Sequence, residues 1–474
     1  FFTASVNAAT YYVDQNHPQA SDENPGTEEL PWKTIEHATH VLQAGDIVLI
    51  KEGRYIPPPS GEFATPALNP SNSGTKDAPI TFKAFPGHVV RIEGDPFLIG
   101  ARYKDYIIWD GFVIDTSSST ARGGGVMIRT AKGIVIKNCE IIGHYYEKSD
   151  EHDGIYIHTV HNITIQNCII HDFKTSGACG GGIKLFNSRD VVVEHCEIYN
   201  CKHGISDKEE GQNNIYRFNL IHDVHDKAIL LHTQDGYNTS GIKIHNNILY
   251  NTGLFGILFA CDAPMVFENI EIYNNVIYNT SYNIASKHSP NLKLWNNILV
   301  TNNMIYNNRG GNSTPTYSDY NCFYPVVKIS VERYTENEKW FYTIEEWQNF
   351  GFDDHSIESD PLFVNPESHN FHLSPTSPCI NAGIDKQDYD NDGNTTERIN
   401  MGCYITGNET IGPLNPSQYI VSENNTCASM NGTCKEMPCN EYEDCYSLDG
   451  FCSSGYCCYG SCITTTTTTT TTVT

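Results

Sequence analysis

Short runs of alternating apolar and polar residues recur along the middle of the chain. Seven five-residue segments carry an apolar residue at the second position and, with two exceptions, at the fourth. A second run, such as residues 134–139, follows several of them. Alternation with period two predicts β-strands, and recurrence about every 22 to 29 residues is typical of a solenoid of stacked coils. The seven segments begin at Gly125, Gly154, Gly182, Gly204, Ala228, Gly256 and Asn283.

The last position of the second strand forms a column down successive coils. It is cysteine in three coils and asparagine in the four that follow. Because coils stacked in register bury this column, we expect reduced thiols there rather than a disulfide network. We also expect these asparagines to adopt the left-handed turn conformation while their amides bond to the next coil. The pattern predicts an all-β fold, a right-handed parallel β-helix. The column comprises Cys139, Cys168, Cys196, Asn219, Asn247, Asn275 and Asn297.

The terminal coils of such a solenoid need caps, because they lack a neighbour on one side. Residues 31–43, with Gly45 after them, predict a short amphipathic cap helix at the amino-terminal end. Eight cysteines near the other end predict a small disulfide-rich, knottin-like module of unassigned connectivity. The predicted divisions are a residual signal peptide or N-terminal arm (1–9), the β-helix domain (10–405), a linker (406–426), the cysteine-rich module (427–462) and an O-glycosylated poly-threonine linker (463–474).

Charge and composition narrow the class of partner. Lys and Arg number 30 against 56 Asp and Glu, and the net charge of -26 disfavours nucleic acid and anionic membrane surfaces. The sequence has no apolar run long enough to span a bilayer, so no membrane insertion is expected. The amino-terminal segment and the N-glycosylation sequons predict a secreted, extracellular glycoprotein. The sequon asparagines are Asn162, Asn238, Asn279, Asn312, Asn394, Asn408, Asn424 and Asn431.

Two sets of motifs flank the repeated coils. One set lies at residues 10–14, 24–27, 31–35, 44–48, 52–55 and 78–87, and the other at 360–364, 371–373 and 377–383. The first set resembles the start of secreted β-helix proteins that include pectate lyases of family nine, and the second resembles the final coils of that superfamily. The resemblance implies a β-helix over about residues 10–404. It does not by itself specify activity, because the superfamily includes lyases, hydrolases, epimerases and proteins without known catalysis.

Side chains on the outer face of the solenoid are the candidates for function. In each five-residue segment the third and fifth residues should point outward. The fifth position is mostly basic or imidazole, and strands about 4.8 Å apart would align these groups along the axis, where an acidic polysaccharide could bind. The fifth position reads Arg129, His158, Phe186, Lys208, His232, Ala260 and Lys287. The predicted substrate-binding residues are Arg129, Tyr156, His158 and Lys287.

Asp207 interrupts the inward apolar column. Burying a carboxylate is costly without a partner. Two explanations are open: a local bulge turns Asp207 outward, or Asp207 supports Lys208 through an ion pair or a metal.

Residues 204–208 and 213–219 resemble the catalytic coil of family six lyases, which cleave alginate and chondroitin-type polymers. The resemblance implies that Lys208 is the catalytic base and that His232 takes the place of an arginine. The acidic residues that would hold Ca²⁺ just before the lysine are replaced here by Cys201 and His203.

The family nine resemblance implies a different base. It places the base at Lys184, with Asp153 as a Ca²⁺ ligand. The paired aspartates that this family carries between the two positions are missing from this chain.

Cleavage of a uronate polymer by β-elimination explains why these residue types are needed. A base must remove the proton next to the carboxylate, and a positive charge must stabilise the anion that forms. The predicted catalytic residues are therefore Lys208, His232 and Lys184. Hydrolysis would instead need two opposed carboxylates, and these would come from Asp153, Asp207, Glu209, Glu210 and Asp226.

Two further predictions concern metal and assembly. Asp388, Asp390 and Asp392 precede Gly393 with the spacing of a Ca²⁺ loop, and Ile399 at the twelfth position excludes an EF-hand. A non-catalytic structural or adhesive protein is the alternative to an enzyme. It would assemble into filaments or a surface coat, with residues 1–10 docking on a neighbouring sheet edge.

Overall fold

The chain divides into two compact units, residues 1–419 and 420–474. The computed structural model describes residues 8–59, 65–147, 152–176, 180–233, 236–261, 265–301, 303–308, 314–325, 328–331, 338–389 and 393–414, and the backbone of two strands in the second unit.

The coils of the first unit stack their strands into three parallel sheets, which confirms the right-handed parallel β-helix. The first sheet contains Thr10–Val13, Ile47–Ile50, Ile80–Ala84, Ile107–Asp110, Val135–Lys137, the ends of Asp153–Gln166 and Gly181–Glu194, Ile215–Arg217, Lys243–His245, Glu271–Tyr273, Lys293–Trp295 and Tyr317–Asp319. The second sheet contains Gly53–Tyr55, Val90–Glu93, Phe112–Asp115, Glu140–Ile142, Ile169–His171, Glu197–Tyr199, Leu220–His222, the beginnings of Ile248–Cys261 and Val276–Ser286, Ile298–Thr301, Cys322–Pro325 and Ile357–Glu358.

The third sheet carries the five-residue segments of the repeat. Its last parallel strand, Ile329–Val331, pairs antiparallel with Lys339–Phe341. Its strands are Ile99–Arg102, Val126–Lys132, the beginnings of Asp153–Gln166 and Gly181–Glu194, His203–Lys208, Lys227–Thr233, the ends of Ile248–Cys261 and Val276–Ser286, Met304–Asn308 and Ile329–Val331.

Shorter helices and strand pairs lie outside the three sheets. Helices span Ile35–Val41 and Ile344–Asn349, with a 3₁₀ turn at Pro366–Ser368. Two-stranded pairs join Tyr145–Tyr146 with Lys174–Thr175, Thr239–Ser240 with Phe267–Glu268, and Phe363–Asn365 with Asn370–Leu373. In the second unit, Gly432–Pro438 pairs antiparallel with Tyr456–Ser461. The disulfides predicted there fall outside the described side chains.

The cap helix is shorter than predicted. It spans Ile35–Val41, and the Thr34 hydroxyl caps it by accepting a hydrogen bond from the His37 amide. The preceding residues do not join the helix because the Trp32 amide donates to the Tyr12 carbonyl, at 2.9 Å, which ties this stretch to the first strand.

Apolar side chains at the second and fourth positions fill the interior. Ile128, Ile157 and Leu185 lie side by side on consecutive strands and are fully buried. Because each strand repeats the pattern of its neighbour, one continuous core runs through the stacked coils.

The predicted asparagine column is a buried ladder. Asn247 donates to the Asn275 side-chain oxygen through both its backbone and side-chain nitrogens, at 3.0 Å each. Asn275 repeats these contacts with Asn297, and the ladder ends where Asn321 donates to Asp353. The conformational prediction was wrong by one residue, because the positive φ falls on the residue before each ladder position, such as Asn246 at 54°. The turn lies there, so the ladder residue can begin the next strand.

The cysteine part of the column is also buried. Cys139, Cys168 and Cys196 carry free thiols, as predicted. Each thiol donates to the backbone carbonyl two residues earlier, at 3.2–3.3 Å. The thiols therefore bond to carbonyl groups of the turn and do not cross-link the coils.

Candidate functional site

The predicted row of basic residues is aligned in register on the third sheet. Arg129 pairs with His158, and His158 pairs with Phe186 on the next strand. The row continues from Phe186 to Lys208 and then to His232. These side chains are half-buried. Arg102, which the repeat analysis missed, pairs with Arg129 and extends the row by one strand. The alignment places the groups at strand spacings of about 4.8 Å, which suits a ligand lying along the axis.

Lys287 stands apart from this row. Its strand ends at Ser286, and the Lys287 ammonium donates to the Cys261 carbonyl at 2.8 Å. It therefore contacts the backbone of the neighbouring coil, one residue beyond the end of its own strand.

The third column lies on the outer face but is largely covered. Tyr156 is only 8 % exposed, because it packs with Phe97, Met127 and Phe186 in a small apolar cluster outside the solenoid core. The expectation of an open row at this position was therefore wrong for Tyr156, whose ring is covered by the bulky side chains around it.

Lys184 lies next to this cluster and faces Asp153. The Lys184 Nζ is 3.7 Å from Asp153 Oδ2, and both residues are 2 % exposed. The Lys184 ammonium also lies 5.2 Å from the centre of the Phe186 ring. Asp153 pairs with Gly181 on the next strand, so Lys184 reaches back across the strand to form this contact. Removing two charged groups from bulk water costs free energy unless each compensates the charge of the other. The separation of 3.7 Å allows this compensation.

A second group of charges lies two strands along the same sheet. The Lys227 ammonium donates to Asp226, and His203 Nδ1 is 3.9 Å from Asp226 Oδ2. His203 pairs with Lys227 in register. Although burial opposes ionisation of Asp226, the Lys227 ammonium holds the pKa of this carboxyl below its ordinary value. The result is a fixed ammonium–carboxylate pair at the edge of the sheet that is formed by the amino-terminal ends of its strands.

A groove of about 970 Å³ lies along this edge, and Lys174, Lys202, His225 and Asn251 are among its lining residues. Lys202 and His225 directly precede His203 and Asp226, so the groove opens beside the charged groups. Its charged lining residues are Lys174, Lys202 and Asp223.

Asp207 points into the solenoid, so the outward bulge is ruled out. The Asp207 Oδ2 accepts hydrogen bonds from Asn214 Nδ2 at 2.9 Å and from the Tyr216 hydroxyl at 2.7 Å. Burial raises the pKa of Asp207 to about 6. Neutral donors surround the carboxylate, and its position inside the coil removes Asp207 from the outer face where a substrate would bind.

Asp153 does not offer the donor set of a Ca²⁺ site. Calcium takes about six to eight oxygen ligands, each about 2.3–2.6 Å from the ion. The Asp153 carboxylate already faces an ammonium, and Asp226 lies three strand spacings away, about 14 Å. Two aspartates cannot close that gap on one ion. Throughout the described ranges, no three acidic, histidine or cysteine side chains converge on a point.

The predicted Ca²⁺ loop lies mostly outside the described residues. Asp390 and Asp392 fall there, whereas the Asp388 Oδ1 accepts a hydrogen bond from the Gly393 amide at 2.9 Å. The loop therefore stays a prediction.

Comparison with known proteins identifies the class. Residues 108–297 match the family model described as "Right handed beta helix region". Pectate lyase PEL9 of Emericella nidulans is 26 % identical over 224 residues, which cover 45 % of this chain and 47 % of that protein. The uncharacterized protein YwoF of Bacillus subtilis is 35 % identical over 91 residues, or 19 % of this chain and 17 % of that protein. The matches thus span less than half of these curated relatives.

The fold comparison covers more of the chain. The crystal structure of pectate lyase Pel9A superposes with a TM-score of 0.51 at 14 % identity, covering 83 % of this chain and 96 % of that one. At this identity the likeness concerns the fold alone. The chain is therefore a right-handed parallel β-helix protein, with pectate lyases among its partial homologues. In the part of the chain that the structure describes, no helix is long and apolar enough to cross a membrane.

Proposed function

We propose that this protein is a polysaccharide lyase that cleaves a uronate-containing polymer by β-elimination, with Lys184 as the base. The observation that carries the proposal is the buried Lys184–Asp153 pair on the outer face of the third sheet, 3.7 Å apart. Arg129 and Lys208, aligned in one row with His158, provide positive charge on the same face. The partial homology to pectate lyases supports a polysaccharide as substrate.

The residues present divide the reaction as follows. The Lys184 ammonium first gives a proton to water, and the resulting amine, held beside Asp153, takes the proton from the carbon next to the uronate carboxylate. The electrons of the broken C–H bond form a carbon–carbon double bond as the glycosidic C–O bond breaks. The leaving oxygen then takes a proton from water. A base held in this way contributes about 10²- to 10⁴-fold to the rate.

Lys208 is the competing base. It is half-buried in the same face, and its ammonium lies 5.8 Å from the centre of the Phe186 ring, which Lys184 also contacts. Lys184 is preferred here because Asp153 holds its side chain in one orientation. His232, beside Lys208, and Tyr156 would then shape the site rather than transfer protons.

Hydrolysis fits this geometry less well. An inverting glycosidase needs its two carboxyl groups about 6.5–9.5 Å apart, and a retaining one needs about 5–5.5 Å. The backbones at Asp153 and Asp226 are about 14 Å apart, by the strand spacing. Asp207, a third candidate, is inside the solenoid.

Incubation with pectate, alginate and chondroitin, followed by ultraviolet absorbance of the unsaturated product, tests the proposal. We expect Lys184→Ala to lower the rate by about 10²- to 10⁴-fold and Lys208→Ala, the matched control on the same face, to lower it far less. The opposite order would assign the base to Lys208. Absence of an absorbance change with every uronate polymer would refute the lyase.

We also propose that the protein is extracellular and carries N-linked glycans. The five sequon asparagines within the described ranges are all exposed, which an oligosaccharide requires: Asn162, Asn238, Asn279, Asn394 and Asn408. Mass spectrometry before and after removal of N-glycans from the secreted protein tests this. O-glycosylation of residues 463–474 and filament assembly through residues 1–10 stay predictions, because those segments lie wholly or mostly outside the described residues.

A further inference from the structure

The outer face of the second sheet is covered by a later part of the chain, residues 371–389, which we call the cover segment. Its apolar side chains pack against an outward column of the sheet and form with it a cluster separate from the interior core. The Asn296 side chain fixes the cover segment, because it bonds to both the amide and the carbonyl of Ile384, at 2.9 and 2.8 Å. The outward column comprises Ile248, Val276, Ile298 and Cys322.

Two cysteines meet where the cover segment crosses the end of this column. Cys322 and Cys379 carry fully buried thiols. The Cys322 Sγ donates to the Ser359 carbonyl at 3.3 Å, and the Ser377 hydroxyl, two residues before Cys379, donates to the Pro361 carbonyl. One short stretch of chain therefore holds both cysteines, and their thiols are hydrogen-bonded to each other.

The stacked cysteines of the interior are placed differently. Cys139, Cys168 and Cys196 stand on consecutive coils, so a strand spacing of about 4.8 Å separates their Cβ atoms. A disulfide needs Cβ atoms about 3.5–4.5 Å apart, which would require the coils to move together. Cys379 lies in a turn, so no strand register sets its distance from Cys322. Movement of this turn alone is enough to bring the second pair to bonding distance.

We propose that Cys322 and Cys379 form a disulfide in the exported protein, which attaches the cover segment covalently to the second sheet. The inference is independent of the lyase and rests on the proposed extracellular location only for its oxidant, because secreted proteins meet an oxidising environment. Two S–H bonds break and one S–S bond forms. Two protons and two electrons pass to a disulfide reagent such as oxidised glutathione, whose own S–S bond is reduced to two thiols.

The surroundings of Cys322 indicate when this bond forms. The hydrogen bond with Cys379 and burial raise the pKa of the Cys322 thiol well above its ordinary value. The thiolate, which is the form that attacks a disulfide, is therefore scarce once the cover segment is in place. We expect the bond to form during folding, before the segment closes over the sheet.

Peptide mapping by mass spectrometry without reduction tests the proposal. The full chain is exported from a secretory expression host, alkylated in denaturant and digested. We expect a peptide pair joined through Cys322 and Cys379 in most molecules, whereas Cys139, Cys168 and Cys196 carry the alkyl label. Alkylation of both Cys322 and Cys379, or a bond from either one to another cysteine, would overturn the inference.

Refolding separates this inference from the proposed location. The full chain, unfolded and reduced, is refolded in a glutathione buffer and mapped in the same way. If the bond between Cys322 and Cys379 forms there while the chain is not exported from its own cells, the extracellular location fails and the pair stands. Free thiols at both positions after refolding to the native state would count against the pair itself.

Thermal unfolding gives a second measurement. All five tryptophans lie in the first unit, so their fluorescence follows the β-helix. We expect the wild type to melt several degrees lower when refolded with a reductant than when oxidised, because the disulfide restricts the unfolded chain between residues 322 and 379. Cys322→Ala should lose this difference, and Cys168→Ala, the matched control, should keep it. A difference that persists in Cys322→Ala would contradict the assignment.

Discussion

Replacement of Asp207 by asparagine should stabilise the solenoid at neutral pH. Asp207 is fully enclosed, and burial raises its pKa from an ordinary 3.8 to about 6. Asparagine has the same shape, and its side-chain oxygen can accept the hydrogen bonds from Asn214 and Tyr216 that Asp207 Oδ2 now accepts. The variant therefore keeps the interior contacts while removing the cost of enclosing a charge.

The magnitude follows from proton linkage. Between about pH 4 and pH 6 the folded state binds a proton at Asp207 that the unfolded chain has released, so the stability of the wild type falls as pH rises through this window. A pKa difference of about 2.2 at about 1.4 kcal/mol per pKa unit amounts to about 3 kcal/mol. Above pH 6 the penalty is constant, and asparagine does not carry it.

The assay is urea unfolding of the wild type and Asp207→Asn at pH 4 and pH 7, followed by tryptophan fluorescence. The free energy of unfolding of the variant relative to the wild type should rise by about 2.4 kcal/mol between the two pH values, because at pH 4 more than half of the unfolded chains have already released this proton. Asp354→Asn, which removes an exposed carboxylate, controls for the change in net charge. A difference that is the same at both pH values would refute the account of Asp207 as an enclosed carboxylate.

Three other predictions concern the ladder, a buried histidine and strand packing. Asn275→Ala should lower the free energy of unfolding by about 2–4 kcal/mol, because it leaves buried amide groups without partners. Asn279→Ala, at an exposed position of the strand Val276–Ser286, should cost far less in the same urea assay. Burial disfavours the charged form of His171, yet two neighbouring carboxylates raise its pKa to about 9. The charged His171 therefore stabilises the folded state fully below about pH 6.5, and this stabilisation is lost as pH rises through about 9. His171→Gln should therefore be destabilising at pH 6 and nearly neutral at pH 10, and equal effects at both would contradict this. Gly124→Ala should lower the melting temperature and shift the Asp153 strand, since its Cβ would fall 1.4 Å from the Asp153 carbonyl oxygen; an unchanged melting curve would show that the two strands are not in contact.

The repeat itself was predictable because it consists of patterns among residues that are close together in the sequence. Alternation within each strand identified the buried Ile157 and Leu185, and recurrence at the same position identified the ladder through Asn247 and Asn275. The basic row from Arg129 to His232 was predictable for the same reason. A solenoid repeats its environment from coil to coil, so a residue's position in the repeat decides whether it is buried.

The catalytic proposal depends on a contact that no local pattern contains. Lys184 meets Asp153 one coil earlier. This contact depends on the length of the turns between coils and on how far a flexible lysine reaches across a neighbouring strand. The sequence by itself determined the sheets, the core and the face that holds the site. Only the tertiary structure decided which charges pair, because electrostatic pairing acts through space between residues whose separation along the chain carries no periodic signal.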